Sequence, residues 1–325
     1  MNSMRGRGGP TGTMAKRNQR RRKPEPPGPS GFLVVDKPAG RTSHDVVDAA
    51  RRWLGTRRVG HLGTLDPQAT GVLPLAIRAA TKLVPFIEGG QKGYDGTIVL
   101  GSETDTLDHE GVVLKRFGGA LPERAEVEAS LSGFIGDVQQ IPPMYSAVKK
   151  GGIPLHRLAR QGQEVERDPK WITISELEVL RFEAPEIDVR VLCSAGTYVR
   201  VLAADLGEKL GCGAHLGPLR RTRSGSFVLD EARSVDELAA AAKSGEIDSM
   251  LIPPVVVLGF PTFVVSGEQR VRLRNGGDLP SGDLHREKPG TRVSILGEAR
   301  EFLAVGELRV DRRIWPLRVL PAEPG

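Results

Sequence analysis

Two hydrophobic patterns recur along the chain, one typical of strands and one typical of helices. Residues 32–35 and 72–77 are unbroken apolar runs that predict buried strands, and residues 94–100 alternate between apolar and polar positions like a strand. Between the first two runs, Ser43 is predicted to cap a helix, because apolar residues follow it at helical spacing. The apolar face of that helix comprises Val46, Val47, Ala50, Trp53 and Leu54.

The mixture of strands and helices continues as far as Pro253. After residues 55–71, which have no regular pattern, the predicted elements are a short helix over 79–87, a helix opened by Pro122, a helical turn at 155–160, two long paired strands over 171–181 and 187–192, a helix over 199–210, a strand over 226–229 and a helix from Ser234 to Ala242. Hairpins with interspersed helices predict an α+β fold, with a mixed, largely antiparallel sheet and flanking helices.

The composition changes on both sides of this region. Residues 1–30 contain Gly, Pro, Ser, eight Lys or Arg and one acid, with almost no large apolar side chains, so we predict a disordered basic arm. After Pro253 the chain has short apolar runs between Gly and Asp turns, at 255–258, 263–265, 293–296 and 302–305. The predicted parts are therefore the arm over 1–30, a larger domain over 31–253 and a small β-rich domain over 254–325.

The net positive charge of the chain lies in the arm. The 325 residues include 46 Lys and Arg against 40 Asp and Glu, but the part after residue 30 has 38 against 39. A nucleic-acid surface on the folded part must therefore be a local concentration of cations. The candidate clusters are Arg57 with Arg58, Lys149 with Lys150, and the run Arg220, Arg221 and Arg223.

Several classes of function are disfavoured by what the sequence lacks. Two cysteines cannot build a disulfide framework or a cysteine zinc cluster, and the six histidines lack the spacing of a helical zinc site. No Gly-Lys-Ser/Thr phosphate loop occurs, and the nearest dinucleotide fingerprint, at 211–217, follows a helix instead of a strand. Without a membrane-length apolar run or a signal peptide, we expect a cytoplasmic protein that needs no metal, cofactor or membrane.

The densest irregular stretch, residues 60–74, reads Gly-His-Leu-Gly-Thr-Leu-Asp-Pro-Gln-Ala-Thr-Gly-Val-Leu-Pro. It places Asp66 between a Gly-rich turn and a proline that keeps the preceding backbone out of the helical region. A rigid loop of this kind, beside a strand, can aim a carboxylate. A lone Asp-Pro pair is more often an ordinary surface turn, so the rest of the chain decides its meaning.

The loop resembles the signature loop of the TruB family of pseudouridine synthases, and three other segments match that family in the same order. These are 36–43 (Asp-Lys-Pro-Ala-Gly-Arg-Thr-Ser), 140–149 (Gln-Ile-Pro-Pro-Met-Tyr-Ser-Ala-Val-Lys) and 193–200 (Cys-Ser-Ala-Gly-Thr-Tyr-Val-Arg). The resemblance extends from Gly31 to about Pro253, and the β-rich end resembles the small RNA-binding PUA domain of the family. The basic arm has no counterpart in the family pattern.

The resemblance implies an RNA isomerase that needs no cofactor and makes pseudouridine at position 55 in the T-loop of tRNA. Asp66 matches the catalytic nucleophile of the family, and Arg200 matches its charged partner, whose guanidinium can hold a carboxylate in a bidentate fork. Tyr94 matches the tyrosine that stacks on the uracil. The target uridine must leave the RNA stack to reach these groups. Attack on the sugar C1′ and attack on the base both remain open for Asp66.

A substrate-binding set surrounds these three residues in the family pattern. Lys82 matches a lysine near the loop, Leu219 an apolar residue of the pocket floor, and His61 the residue that fills the gap left by the flipped bases. The whole predicted set is His61, Lys82, Tyr198, Leu219, Arg220 and Arg221.

Two other functions remain open on the sequence. An RNA-binding or RNA-folding protein without catalysis is disfavoured by the intact set of Asp66, Tyr94 and Arg200. The catalytic subunit of a guide-RNA complex is slightly favoured by the N-terminal arm, whose composition equally suits an RNA tether. The expected partner is the T-arm of tRNA, with no obligate protein partner.

Overall fold

The computed structural model describes residues 28–87 and 89–321, so nearly all of the predicted basic arm lies outside the described residues. The helices are α1 (Ser43–Trp53), α2 (Arg124–Ser132), α3 (Leu155–Ala159), α4 (Val199–Lys209), α5 (Val235–Ser244), α6 (Pro254–Leu258) and α7 (Gly267–Arg274). The strands are β1 (Gly31–Lys37), β2 (Val59–His61), β3 (Thr70–Ile77), β4 (Lys92–Leu100), β5 (Ser102–Thr104), β6 (Val113–Arg116), β7 (Gly136–Gln140), β8 (Lys149–Lys150), β9 (Ile153–Pro154), β10 (Lys170–Glu183), β11 (Glu186–Cys193), β12 (Ala214–Ser224), β13 (Phe227–Val228), β14 (Arg233–Ser234), β15 (Thr262–Val264), β16 (Leu279–Pro280), β17 (Arg292–Leu296), β18 (Phe302–Leu308) and β19 (Arg313–Val319).

One large mixed sheet forms the centre of the fold. Its strand order is β14-β1-β3-β12-β4-β11-β10-β7, with β2 paired to β3 and β13 paired to β12. Strand β1 runs parallel to β14, and β3 runs parallel to β12. The other neighbours are antiparallel, including the predicted long pair β10 and β11. The structure therefore confirms the α+β fold with a mixed, largely antiparallel sheet.

The two halves of this sheet meet where β3 lies beside β12. Only Thr70 and Gly71 of β3 are in register there, opposite Arg220 and Arg221. Gly71 has a φ of +99°, and a Cβ at this position would lie 2.2 Å from the carbonyl oxygen of Arg221. Glycine is therefore required for the two backbones to approach each other. The loop that carries Asp66 ends at this junction.

Helices α1, α2, α4 and α5 pack on one face of the large sheet. Because side chains alternate along a strand, Leu33 and Val35 of β1 join the core under the helices, whereas Phe32 and Val34 face the opposite side. The predicted helix cap at Ser43 is wrong by one residue. The hydroxyl of Thr42 accepts the capping hydrogen bond, 3.1 Å from the Asp45 amide, which leaves the Ser43 hydroxyl for another contact.

The second sheet, β15-β17-β18-β19-β16, curls in the C-terminal part of the chain. The second sheet packs against the large sheet through one apolar cluster. In this cluster Val305 and Leu320 contact Phe32 and Val34 of β1. The predicted strand over 255–258 is wrong, because the paired prolines at its start favour the first turn of a helix. Those residues form most of α6, which ends at a glycine with a φ of +61°.

Proline also explains the difference at residues 79–87. In place of the single predicted helix, residues 78–82 and 84–86 form two short 3-10 helices. Pro85 has no amide hydrogen to continue a helix from the preceding turn. No helix within residues 28–87 and 89–321 is long and apolar enough to cross a membrane.

Candidate active site

The loop between β2 and β3 borders a cavity of about 440 Å3. The cavity lies between the loop, the beginning of α4 and the middle of the large sheet. Its polar lining consists of Thr64, Asp66, Lys92, Tyr94, Ser146, Thr197, Tyr198, Arg200, Arg221 and Ser224, and apolar side chains such as Leu65, Leu219 and Phe227 form the rest. A volume of this order is typical of a small-molecule site. It is large enough for a single nucleotide but not for double-helical RNA.

The segment 36–43 fixes the backbone on both sides of Asp66. The Ser43 hydroxyl accepts from the amide of Leu65 at 2.8 Å and donates to its carbonyl at 3.0 Å. The ammonium of Lys37, which is fully buried, donates to the carbonyl of Pro67 at 2.8 Å. Burial lowers the pKa of Lys37 to about 8. The segment 36–43 and the loop 60–74 therefore form one structural unit that sets the direction of Asp66.

Arg200 bridges the loop and the segment 140–149. Its Nη1 donates to Oδ2 of Asp66, and its Nη2 donates to the carbonyl of Tyr145 at 2.6 Å. The predicted bidentate fork is therefore wrong, because one end of the guanidinium is occupied by Tyr145. Burial lowers the pKa of Arg200 to about 10, which still keeps the side chain charged at neutral pH.

The beginning of α4 is held by the segment 140–149. The side-chain amide of Gln140 accepts from the amide of Tyr198 at 2.8 Å and donates to its carbonyl at 3.1 Å. The ring of Tyr198 lies 5.4 Å from the guanidinium carbon of Arg200, within cation–π range. Residues 140–149 and 193–200 thus position Arg200 in the same way that residues 36–43 position Asp66.

Tyr94 lies on β4, between β11 and β12, and its side chain lines the cavity with only 8% of its surface exposed. Burial raises the pKa of its hydroxyl, and the neighbouring Arg221 acts in the opposite direction. The phenol is therefore neutral at neutral pH. An aromatic ring at the wall of a nucleotide-sized cavity provides a surface on which a base can stack.

The two adjacent arginines of β12 point to different places. Arg221 is 1% exposed, and its guanidinium donates to the carbonyls of Val72, Thr64 and Gly63 at 2.7, 3.3 and 3.1 Å. It lies too deep to reach a phosphate at the surface, so we correct that prediction and assign Arg221 to holding the loop. Arg220 lies outside the cavity and makes two hydrogen bonds to Asp36, at 2.6 and 3.1 Å.

The other predicted residues are divided between the cavity and its surroundings. Leu219 lines the cavity, whereas His61 and Lys82 do not. Lys82 is exposed, and His61 is a partly buried residue of β2 whose pKa is lowered mainly by burial. Lys92 was missed, although it donates to the Ser224 hydroxyl at 2.7 Å and lines the cavity. Side chains two residues apart on a strand lie on the same face of the sheet. The position of Lys92 two residues before Tyr94 therefore indicates that it faces the cavity.

Comparisons with known proteins identify the family of the chain. Residues 51–199 match the model of the TruB family pseudouridylate synthase N-terminal domain, and residues 200–255 match that of the tRNA pseudouridylate synthase B C-terminal domain. The chain is 45% identical to tRNA pseudouridine synthase B of Geobacter sulfurreducens, over 82% of this chain and 90% of that relative. It is 41% identical to the Pseudomonas fluorescens protein of that name, over 90% and 96%.

The chain therefore belongs to the TruB family of pseudouridine synthases, and it is an isomerase of that family. A solved Cbf5-Nop10-Gar1 complex contains a chain with the same fold, at a TM-score of 0.64 and 26% identity, over 90% of this chain and 84% of that one. The family resemblance of the sequence motifs is thus confirmed.

Proposed function

We propose that the protein converts uridine to pseudouridine at position 55 in the T-loop of tRNA, with Asp66 as the nucleophile. The observation that carries the proposal is the carboxylate of Asp66, which is 47% exposed beside the cavity while its partner Arg200 is 5% exposed. The backbone around it is fixed from both sides. The names of the relatives support tRNA as the substrate. The T-loop position rests on the resemblance of the motifs.

The reaction breaks the bond between N1 of uracil and C1′ of ribose and forms a bond between C5 and C1′. The proton on C5 is lost and N1 gains one, so the product is an isomer and no electrons are exchanged with another reagent. A carboxylate divides this rearrangement into two steps by forming a covalent bond to the sugar or to the base. Asp66 has the position for this bond, and both points of attack remain consistent with it.

The other cavity residues have matching tasks. The ring of Tyr94 stacks on the uracil and limits how it turns, and Arg200 keeps the carboxylate ionised and oriented. The base enters after it has left the RNA stack, which requires a few kcal/mol, and the contacts in the cavity offset this. The protein acts in the cytoplasm on this proposal. The part of tRNA that it binds is the T-arm, which carries the target uridine.

The direct test is to incubate the purified protein alone with an unmodified tRNA transcript and to map pseudouridine at single-nucleotide resolution. We expect modification at position 55 and none in a transcript with cytidine there. Asp66→Asn should abolish turnover while tRNA binding stays within about tenfold, or about 1.4 kcal/mol. The matched control is Asp48→Asn on α1, whose carboxylate pairs with Arg51 away from the cavity. Turnover by the purified Asp66→Asn protein would exclude the nucleophile assignment.

The same assay decides between this proposal and its alternatives. The similarity to the fold of Cbf5, which was solved with Nop10 and Gar1, keeps the catalytic subunit of a guide-RNA complex as a second candidate. That function predicts no modification until a guide RNA is supplied. A protein that only binds or folds RNA would retain tRNA without modifying it, and Asp66→Asn would then change nothing.

A further inference from the structure

The lining of the cavity carries more positive than negative charge. Among the described residues that line it, three are basic and one is a carboxylate, namely Lys92, Arg200, Arg221 and Asp66. Arg200 binds Asp66, and Arg221 binds three backbone carbonyls. A flipped uridine brings the negative charge of its phosphates toward the carboxylate, and a cation nearby reduces that repulsion. Lys92 is therefore the candidate for a contact with the RNA backbone.

Lys92 forms a pair with Ser224, its cross-strand neighbour on β12. The ammonium donates to the Ser224 hydroxyl at 2.7 Å, so the serine oxygen accepts and its proton points elsewhere. Ser224 is 2% exposed and lines the cavity, and within the described part of the chain no acceptor binds its proton. A buried hydroxyl with an unused donor is unfavourable unless a ligand accepts from it. An ammonium beside a hydroxyl presents N–H and O–H donors to one anion, which suits a phosphate oxygen.

The pair lies at the more exposed end of the wall that carries Tyr94. Lys92 is the first residue of β4 and is partly exposed, whereas Tyr94, two residues further along the same face, is 8% exposed. Two residues of a strand span about 7 Å. That separation is comparable with the distance between the base and the phosphate of one nucleotide. A base stacked on Tyr94 can therefore place its own phosphate beside Lys92.

Three glycines leave room for a sugar and a phosphate beside the pair. Gly63, Gly89 and Gly225 come from three different segments, line the cavity and have positive φ angles. A Cβ at Gly63 would lie 3.6 Å from Nζ of Lys92, so a longer side chain at this position would compete with a ligand for the ammonium. Glycine allows the close approach of a ligand to the protein backbone.

We propose that Lys92 and Ser224 together bind a phosphate that flanks the target uridine. This inference rests on the proposed function, because it takes the flipped nucleotide to be the occupant of the cavity. The uracil stacks on Tyr94, the nucleotide faces Asp66, and the ammonium and the hydroxyl bind one flanking phosphate. Lys92 is then a substrate-binding residue that holds the nucleotide in place and does not act on the bonds that break.

A neutral linkage in the RNA tests this contact with the unaltered protein. Two T-arm stem-loops carry a single methylphosphonate, on the 5′ or on the 3′ side of the target uridine. Because a methylphosphonate has no negative charge, the linkage that Lys92 binds loses its charge-assisted hydrogen bond. We expect one of the two to raise KM at least about tenfold with kcat within about threefold, as for lost uniform binding. The control has the methylphosphonate in the stem. If neither stem-loop differs from the control, the proposal is overturned.

The variant Lys92→Met identifies the group that binds this phosphate. It should raise KM for the all-phosphate stem-loop at least about tenfold. The neutral linkage should then raise KM less than about twofold further, because its lost charge no longer has a partner. Ser224→Ala, which removes one donor, should raise KM about threefold.

The matched control is Lys209→Met, whose lysine donates to the carbonyl of Ser130 outside the cavity. It should keep the KM of the wild type and its full sensitivity to the linkage. Equal sensitivity in Lys92→Met and in the wild type would assign the phosphate to another cation, against the proposal. A Lys92→Met protein that loses activity while both neutral linkages behave like the control would place Lys92 on the uracil instead, and the proposal would be wrong.

The failure of this inference is distinguishable from the failure of the proposed function. No modification at position 55 by the wild type, or turnover by Asp66→Asn, would remove the proposed function. A protein that modifies position 55 through Asp66 and shows none of the linkage effects would keep the function. Only the phosphate contact of Lys92 and Ser224 would then be wrong.

Discussion

The ion pair at the site is asymmetric in its exposure and in its hydrogen bonds. Asp66 presents its carboxylate to the cavity, whereas Arg200 is buried and divides its guanidinium between Asp66 and the carbonyl of Tyr145. Arg200 is therefore more than a counter-charge. It also links the signature loop to residues 140–149, so that the carboxylate is held in one direction at the cavity.

Lysine at position 200 should not replace arginine. Its single ammonium can approach Asp66 or the carbonyl of Tyr145, but it cannot hold both in the arrangement of a planar fork. We expect Arg200→Lys to reduce kcat on tRNA at least about a hundredfold with little change in KM. The matched control is Arg190→Lys on β11, where Arg190 makes two hydrogen bonds to Asp95 outside the cavity. A kcat near that of the wild type would show that the charge alone, and not the shared geometry, serves Asp66.

At the scale of elements, the corner between β1 and α1 acts as a clamp on the loop that carries Asp66. Lys37 at the end of β1 binds the carbonyls of Pro38, Arg41 and Pro67 at 2.9, 2.7 and 2.8 Å. Ser43, the first residue of α1, binds both backbone groups of Leu65. The loop has no regular secondary structure, but these hydrogen bonds attach its backbone to β1 and to α1 and so fix its position.

Removal of the lysine from this clamp should be visible in the stability of the protein. Lys37→Met leaves three carbonyls without their donor, and we expect the free energy of unfolding to fall by about 2 to 4 kcal/mol at pH 7. The pKa of Lys37 falls from 10.5 to about 8 in the folded protein. Between these values the unfolded chain binds more protons at Lys37, so the stability of the wild type rises with pH.

The difference in stability between the wild type and Lys37→Met should therefore widen from pH 8 to pH 10. Urea unfolding at several pH values in this window measures it. A conservative control is Lys209→Met, since Lys209 lies at the end of α4 and donates to one exposed carbonyl, that of Ser130. A gap that narrows as the pH rises would mean that the ammonium of Lys37 is stabilised by the fold rather than disfavoured by burial.

The elements that the sequence predicts are those in which hydrophobic period and burial coincide. The paired strands β10 and β11 and the helix α4 are of this kind. Strand β12 was not predicted, because Arg220, Arg221 and Arg223 make its second half resemble an exposed basic run. The guanidinium of Arg221 is compatible with burial only because carbonyls of the distant loop satisfy it. Such a contact has no local signal in the sequence.

The site shows the same limit. The motifs identify Asp66 and Arg200, which are 134 positions apart in the sequence, as members of one site. They do not indicate that Tyr145 takes one end of the guanidinium, because that contact depends on how residues 140–149 pack against the beginning of α4. Lys82 and Lys92 make the same point, since only the packing of β4 beside β12 brings the second of them to the cavity wall.

At the scale of the whole molecule, the small sheet is packed onto the large one. Phe32 and Val34 of β1 lie in one apolar cluster with Leu258, Val305 and Leu320. Deletion of the chain after Pro253 would expose this cluster. A truncated protein would therefore lose stability, in addition to any contact that the deleted part makes with RNA. The contribution of the β-rich part to tRNA binding is therefore better tested by changing its surface charges in the full chain.

The cations of the C-terminal part are not equivalent. Arg270 and Arg272 form ion pairs with Glu301 and Asp278, which reduces their value for phosphate binding. Arg274, Arg286 and Lys288 are exposed, and no ion pair to a carboxylate is formed by them within the described part of the chain. We therefore expect these three to contribute to the electrostatic attraction that this part of the protein exerts on the tRNA backbone.

Replacement of Arg274, Arg286 and Lys288 by glutamine should raise KM for full-length tRNA at least about tenfold and leave kcat within about twofold. Lost phosphate contacts weaken the ground state and the transition state equally, which raises KM without slowing the chemical step. The slope of log K against log salt should become shallower by about 2 to 3, at a little under one unit for each phosphate contact. A T-arm stem-loop too short to reach the small sheet should be modified equally well by both proteins. A fall in kcat on both substrates, in a variant with an unchanged melting temperature, would instead mean that the C-terminal part shapes the active site through the shared apolar cluster.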